Sequence, residues 1–172
     1  DYYPWDTQVD MYGLDPLKPF ETEEEFVQKS IQCFEQIDSY FADCLKEMHR
    51  LKRLDLSSRI GKAPGGYQYP LYKSGVPFIF MNAVGLHRDL VTLMHETGHA
   101  IHFFLNNPYP VLDFKSPPSE VAELASMSME LITMEHWDVF FNNPNDLMRA
   151  RQQQLESVIE ALPWIAAIDQ FQ

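Results

Sequence analysis

The 172-residue sequence has few basic side chains, only two cysteines and no long apolar run, and each shortage excludes a class of protein. With 13 Lys and Arg against 25 Asp and Glu, the formal net charge is −12. Nucleic-acid phosphates and anionic membrane surfaces need clustered cations, so neither is expected as a partner. No apolar stretch approaches the roughly 20 residues that cross a bilayer, and no secretory leader opens the sequence. These absences predict a soluble protein that is not exported.

The two cysteines, Cys33 and Cys44, are eleven residues apart in one predicted helix. That spacing corresponds to about 16 Å along a helix axis, which is beyond the reach of a disulfide. We therefore expect two free thiols packed as small hydrophobic side chains in a reducing compartment.

Hydrophobic periodicity predicts a mainly α-helical protein with a small antiparallel β-hairpin or sheet, which is the α+β class. Thr22 and Glu25 form a capping box before a long apolar stripe, and aromatic runs on both sides of residues 73–75 predict a hairpin whose edge strand can dock an extended peptide. We read one partial catalytic domain over residues 1–172. Its predicted segments are an extended lead-in at 1–21, a long helix at 22–52, a β-hairpin region at 61–84, helices at 86–106 and 119–141, and C-terminal helices at 146–172 that break near Pro163. The last segment still looks helical where the sequence stops, so we expect a fragment of a larger protein.

The run His95-Glu96-Thr97-Gly98-His99 lies in the middle of the predicted helix 86–106. Residues four apart project from nearly the same side of a helix, so His95 and His99 can bind one metal ion. Glu96 lies about 60° round the helix from His99. It can therefore reach a water on the metal without being a ligand, as the general base of a metallopeptidase must. Imidazole and carboxylate ligands with an open position favour Zn²⁺.

A third protein ligand is required, and spacing alone does not identify it. Zinc peptidases with three histidines would need a histidine where Leu105 stands, so that class is excluded. A glutamate from the helix 119–141 is the other common solution, and Glu120 or Glu123 can reach the metal from one side of that helix. Spacing leaves the choice between them open.

The run from Met94 to His102 resembles the signature of the thimet oligopeptidase and oligoendopeptidase F family of zinc metallopeptidases. Similar segments extend over nearly the whole chain, although Leu124 and Met127 replace the commoner Val and Thr. The other matching segments are Trp5-Asp6, Leu17-Lys18-Pro19-Phe20, Gly65-Gly66-Tyr67, Phe80-Met81-Asn82, Ala122 to Ser126 and Glu130-Leu131.

This resemblance implies a zincin-like core within a larger helical peptidase, and a zinc metalloendopeptidase that hydrolyses short peptides in the cytoplasm. It selects Glu123 as the third zinc ligand. It also suggests that Gly65, Gly66 and Tyr67 contact substrate. His102 lies one turn beyond His99, so its position favours either a substrate contact or a partner that supports a ligand, and Glu130 is expected to accept the free N–H of a ligand imidazole. Family members are longer, and their oxyanion-stabilising Tyr and His residues follow the segment that this chain matches. The expected partner besides peptide is therefore the remainder of the catalytic domain, without which this piece would be poorly active or inactive.

A competing interpretation is a non-catalytic zinc-binding or scaffold module, in which the ion only joins two helices. Closed structural zinc sites usually have four protein ligands, whereas the sequence nominates three and a base. A third interpretation, an all-helical domain with an accidental motif, predicts no stoichiometric zinc. The remaining histidines, His49, His87 and His136, have no partner at ligand spacing and are expected to be structural.

Overall fold

A computed structural model describes residues 13–171, and five α-helices and three β-strands lie within that range. The matched pair Trp5-Asp6 and the first twelve residues of the lead-in lie outside it. The helices are α1 (Glu23–Glu35), α2 (Ser39–Arg50), α3 (His87–Asn106), α4 (Ser119–Met134) and α5 (Pro144–Phe171). The strands are β1 (Leu54–Ser57), β2 (Tyr67–Tyr69) and β3 (Phe78–Ala83), and short 3₁₀ helices span Leu112–Lys115 and Trp137–Val139.

The predicted fold class is confirmed, with one strand more than the sequence indicated. β2 pairs antiparallel with β3 as the hairpin prediction required, and Tyr67 lies opposite Phe80. β1 pairs with the other side of β3 in parallel, so the sheet order is β1-β3-β2 and the sheet is mixed rather than purely antiparallel. β1 is only four residues long and begins directly after the turn that ends α2, so no alternating pattern marks it.

The single helix predicted over 22–52 is wrong, because the chain forms two helices there. The start is as expected, since the Thr22 hydroxyl accepts a hydrogen bond from the Glu25 N–H. α1 then ends at Glu35, and the Asp38 carboxylate caps α2 by accepting the N–H of Tyr40 at 2.8 Å. An Asp that satisfies a backbone donor in this way starts a new helix rather than continuing the old one. Both helices keep their apolar faces inside, and the two cysteines are free and buried on separate helices.

Two further boundaries differ from the prediction. The helix expected to reach residue 141 ends at Met134, after which the chain turns and buries Trp137 completely. The break expected near Pro163 is absent, because α5 runs through it as one helix. A proline removes one helical hydrogen bond and crowds the preceding turn, but Leu162 and Trp164 beside it are exposed, so the local displacement meets no packed neighbour.

The core brings α1, α2 and α3 against β1 and β3, and α4 packs along α3. α3 is central, since Leu90, Leu93, Met94 and Ala100 are fully buried on it. The side of α3 that does not pack into this core faces a cleft. Within residues 13–171, no helix combines the length and the apolar character needed to span a membrane.

Candidate metal centre

His95 and His99 of α3 and Glu123 of α4 converge on one point. One ligand atom from each residue lies within 4.8 Å of the other two. The His95 Nε2 is 3.2 Å from Glu123 Oε2, and the His99 Nε2 is 3.6 Å from Glu123 Oε1. These three side chains therefore face one another closely enough to share a single metal ion.

Glu120, the alternative that spacing left open, is not in this group. It lies in the first turn of α4 and is exposed. No hydrogen bond or ion pair in residues 13–171 joins it to either histidine. The packing of α4 on α3, which the sequence does not specify, thus separates two glutamates that are only one turn apart.

A hydrogen-bonded chain supports His95 from behind. The His95 Nδ1 is 2.6 Å from Glu130 Oε1, and the other carboxylate oxygen of Glu130 accepts the Gln154 Nε2 amide at 2.7 Å. Gln154 belongs to α5 and is 2% exposed. A carboxylate that accepts a hydrogen bond from Nδ1 keeps the proton on that nitrogen. Nε2, which faces Glu123, is then the nitrogen that can bind a metal ion.

The two histidines differ electrostatically. Burial lowers the pKa of His95, but the hydrogen bond that His95 donates to Glu130 and the charges of Glu130, Glu96 and Glu123 outweigh that effect and raise the pKa overall. Burial lowers the pKa of His99, and the neighbouring His95 lowers it further. His99 is therefore neutral over a wide pH range, which is the form that binds metal.

Close packing at Gly98 sets the distance between α3 and α4. A Cβ atom at Gly98 would lie 2.8 Å from the Ser126 Cα and 3.2 Å from the Ala125 carbonyl oxygen. No side chain fits there unless the helices separate. Ser126 also donates its hydroxyl to the Glu123 carboxylate at 3.2 Å, so the same contact orients the carboxylate.

Glu96 lies beside this group but points to a different neighbour. It is 7% exposed, and burial raises the pKa of its carboxyl, an effect that the charge of His95 only partly offsets. A backbone hydrogen bond from Gln68 acts in the opposite direction and lowers the same pKa. Gln68 is the middle residue of the edge strand β2, so the carboxylate lies between α3 and the sheet edge.

The segment Gly65-Gly66-Tyr67 leads into that edge strand. Gly65 has φ +101°, which favours glycine. A Cβ at Gly66 would lie 3.2 Å from the Thr92 Cγ2, one turn before Glu96 on α3. Asn82 of β3 holds the segment by donating its amide to the carbonyls of Ala63 and Gly65 at 2.7 and 3.0 Å. The predicted segment therefore lies along the N-terminal half of α3.

His102 is half-buried on α3, and burial lowers its pKa. It makes no hydrogen bond within residues 13–171. Three residues in supporting positions were missed from sequence: Gln154, Ser126 and Asn82. Asn82 lies within β3, and both Asn82 and Ser126 belong to segments that resemble the family, but neither has a ligand spacing that indicates its role. Gln154 has no such signal.

Comparison with known proteins identifies the chain's relatives. The sequence profile of peptidase family M3 matches residues 1–172. An oligoendopeptidase F homologue of Mycoplasma pneumoniae is 25% identical over 98% of this chain and 28% of its own length. Chromosomal oligoendopeptidase F of Lactococcus lactis subsp. cremoris is 31% identical over 64% of this chain and 18% of its own length.

Solved structures agree with these relatives. PZ peptidase A, solved with an inhibitor, matches with a TM-score of 0.84 and 28% identity over 91% of this chain and 27% of its own. The structure of a proposed oligoendopeptidase F from Bacillus anthracis strain Ames gives a TM-score of 0.87 with 26% identity, over 95% of this chain and 29% of its own. The chain thus spans less than a third of the length of these proteins. Its sequence and its fold lead to the same conclusion: the chain belongs to peptidase family M3.

Proposed function

We propose that this chain is the metal-binding core of a zinc-dependent endopeptidase that hydrolyses short peptides. The observation that carries the proposal is the convergence of His95, His99 and Glu123 beside the buried carboxylate of Glu96. Family membership supports peptide hydrolysis, and the relatives, which are oligoendopeptidases, support oligopeptides as the substrate class.

Zinc suits this set of donors. Two imidazoles and one carboxylate are the protein ligands of a common type of catalytic zinc site, which keeps a fourth position open. The support of His95 by Glu130 is also typical of zinc centres, because the second nitrogen of a ligand imidazole is normally hydrogen-bonded. Zinc, when bound, supplies Lewis-acid chemistry, which polarises a carbonyl and makes water acidic.

Glu96 is the proposed general base. Its carboxylate accepts a proton from the attacking water and then gives that proton to the amine of the leaving peptide. Burial raises the pKa of Glu96, which suits a group that must accept and release a proton near neutral pH. Glu96 is not a zinc ligand in this proposal.

The free edge of β2 is the proposed binding site of the peptide backbone. β2 uses one side to pair with β3 and has no strand on its other side within residues 13–171. An extended peptide can add to such an edge through main-chain hydrogen bonds. Gly65, Gly66 and Tyr67 lead the chain past α3 to this edge, and His102 provides a polar group one turn beyond His99.

The remainder of the catalytic domain is the second proposed partner. The exposed side chains of α4 and the second half of α5 are unusually apolar: Leu124, Ile159, Leu162 and Trp164 are 65–68% exposed, and Phe171 is 90% exposed. Apolar surface of this extent marks an interaction site. The cytoplasmic setting follows from the family resemblance and is tested by cell fractionation.

A non-catalytic zinc module, or an inactive piece of a peptidase, is the alternative. Glu123 is 48% exposed, which supports an open rather than a closed zinc site. The alternative predicts zinc binding without any role for Glu96.

The test compares Glu96→Gln with the wild type in the protein as it is naturally made. We expect zinc content to be unchanged and kcat for an oligopeptide to fall by about 10²–10⁴-fold, the range typical of a lost general base. Glu120→Gln is the matched control, since Glu120 is exposed on α4, and it should leave kcat unchanged. Equal rates in Glu96→Gln and wild type would exclude the catalytic role.

A further inference from the structure

A cleft of about 460 Å³ extends along α3 from His95 of the candidate metal centre towards the first turn of that helix. Arg88, Thr92 and His95 line it from α3, and Gln153 and Ser157 line it from α5. This volume falls within the range of small-ligand sites in proteins. The cleft is therefore large enough to hold several residues of a peptide beside the metal centre.

The charges in this cleft are separated along its length. The acidic side chains that line it, Glu96 and Glu130, lie at the end near His95. Arg88 lies at the far end and is the only permanent cation among the lining residues. Burial lowers the pKa of His87 to about 4, so its imidazole is neutral at pH 7 and adds no positive charge to the cleft.

Arg88 is exposed and has no ion-pair partner among residues 13–171. Three other cations, Arg50, Arg59 and Lys62, each bind a carboxylate within 3.0 Å. A guanidinium that lines a cleft and binds no carboxylate of residues 13–171 is available to an anionic ligand. Its planar donors suit a carboxylate in particular.

The position of Arg88 on the helix relates it to the metal centre. Arg88 and His95 are seven residues apart, so both face the same side of α3 and lie about 10 Å apart along its axis. An extended peptide covers that distance with about three residues. Building on the proposed function, we infer that Arg88 is a specificity-determining residue, which binds a carboxylate of the peptide substrate about three residues from the scissile bond.

That carboxylate can be the C-terminal group of the peptide or the side chain of Asp or Glu. The probes are therefore peptides with Glu, Gln or Lys at the third residue on either side of the scissile bond. Each is made as the free acid and as the C-terminal amide. A preference for Glu over Gln identifies the side chain, and a preference for acid over amide identifies the terminus.

Affinity is measured by calorimetry on the zinc-loaded protein as it is naturally made, with Glu96→Gln in every sample so that no peptide is cleaved. We expect the carboxylate-bearing peptide to bind about fivefold to tenfold more tightly than its neutral counterpart, as for a charge-assisted hydrogen bond in a partly open site. The preference should shrink at 0.5 M salt, because the Debye length shortens. Arg88→Gln should abolish the preference, and Arg88→Glu should reverse it in favour of the Lys peptide.

Lys18→Glu is the control, because it makes the same change in net charge at an exposed cation that does not line the cleft. Identical peptide preferences in wild type, Arg88→Gln and Arg88→Glu would overturn the inference, as would peptides that do not bind. Hydrolysis by the protein with Glu96 intact is scored separately. Hydrolysis without carboxylate preference would exclude the role of Arg88 and support the proposed function. Carboxylate-dependent binding without hydrolysis would support the role of Arg88 and contradict the proposed function.

Discussion

Two histidines of α3 lie eight residues apart, and their surroundings shift their pKa values in opposite directions. His95, at the centre of the helix, faces Glu130 and Glu123, and its pKa is raised despite burial. His87, in the first turn, packs edge-on against Trp137 and beside Phe141, and burial lowers its pKa to about 4. The buried His87 Nε2 has no hydrogen-bond partner.

This difference shows that the neighbours of α3, rather than α3 itself, decide what each histidine can do. Polar groups from α4 and α5 surround the centre of the helix, and aromatic rings surround its start. A metal ion needs several converging donors, which only the centre provides. The start of the helix instead contributes packing, and it leaves the His87 Nε2 buried without a hydrogen-bond partner among residues 13–171.

The largest expected effect comes from removing the α4 donor at the centre. Glu123→Gln should weaken zinc binding by more than about 100-fold, because even residues that merely support a ligand contribute 10–100-fold. Glu120→Gln, one turn away and outside the group, should leave zinc affinity unchanged. Competition with a fluorescent chelator measures both, and equal losses in the two variants would contradict the geometry.

Much of the centre was predictable from sequence, because its histidines are four residues apart on one helix. The helix itself was evident from its apolar periodicity, and the β2–β3 hairpin from its turn residues. Spacing did not choose between Glu120 and Glu123, and only the family resemblance selected Glu123, because the choice depends on how α4 packs on α3 at Gly98. Gln154 reaches Glu130 from α5, 24 residues later, and no local pattern encodes such a contact. The split between α1 and α2 was missed because the apolar stripe continues across Asp38.

A smaller effect is expected from removing the support of His95. Glu130→Gln keeps the size of the side chain but loses the charge that holds the proton on Nδ1. Zinc affinity should fall by about 10–100-fold, with the fold retained by circular dichroism. The exposed Glu135→Gln serves as the control on the same segment. Unchanged zinc affinity in Glu130→Gln would mean that this hydrogen bond does not support the ligand.

Packing between the helices is tested at Gly98. Alanine gains about 1 kcal/mol of helix propensity there, but its Cβ would lie 2.8 Å from the backbone of Ser126. Overpacking of this kind costs about 1–3 kcal/mol. We expect Gly98→Ala to lower the free energy of unfolding in urea by about 1 kcal/mol and to weaken zinc binding, because α4 carries Glu123. A gain in stability of about 1 kcal/mol, as at an unhindered glycine, would contradict the close approach.

The last expected effect lies at the start of α3, and it appears only as the pH falls. The pKa of His87 in the folded protein, about 4, lies below the ordinary value of 6.5, so the unfolded chain binds more protons between these values. Well above pH 6.5 His87 is neutral in both states and does not affect stability. Below that pH the unfolded chain takes up a proton that the folded protein does not, so the free energy of unfolding falls by about 2 kcal/mol between pH 7 and 4.5. His87→Phe keeps an aromatic ring between Trp137 and Phe141 and removes both the titration and the unsatisfied Nε2. Urea unfolding of the metal-free variant should show a shallower loss of stability over this range than wild type.

Every titratable group other than His87 is present in both proteins, so the difference between the two curves reports on His87. If the His87→Phe and wild-type curves run parallel from pH 7 to 4.5, His87 accepts a proton in the folded protein as readily as in the unfolded chain. The contrast between the two ends of α3 would then not hold.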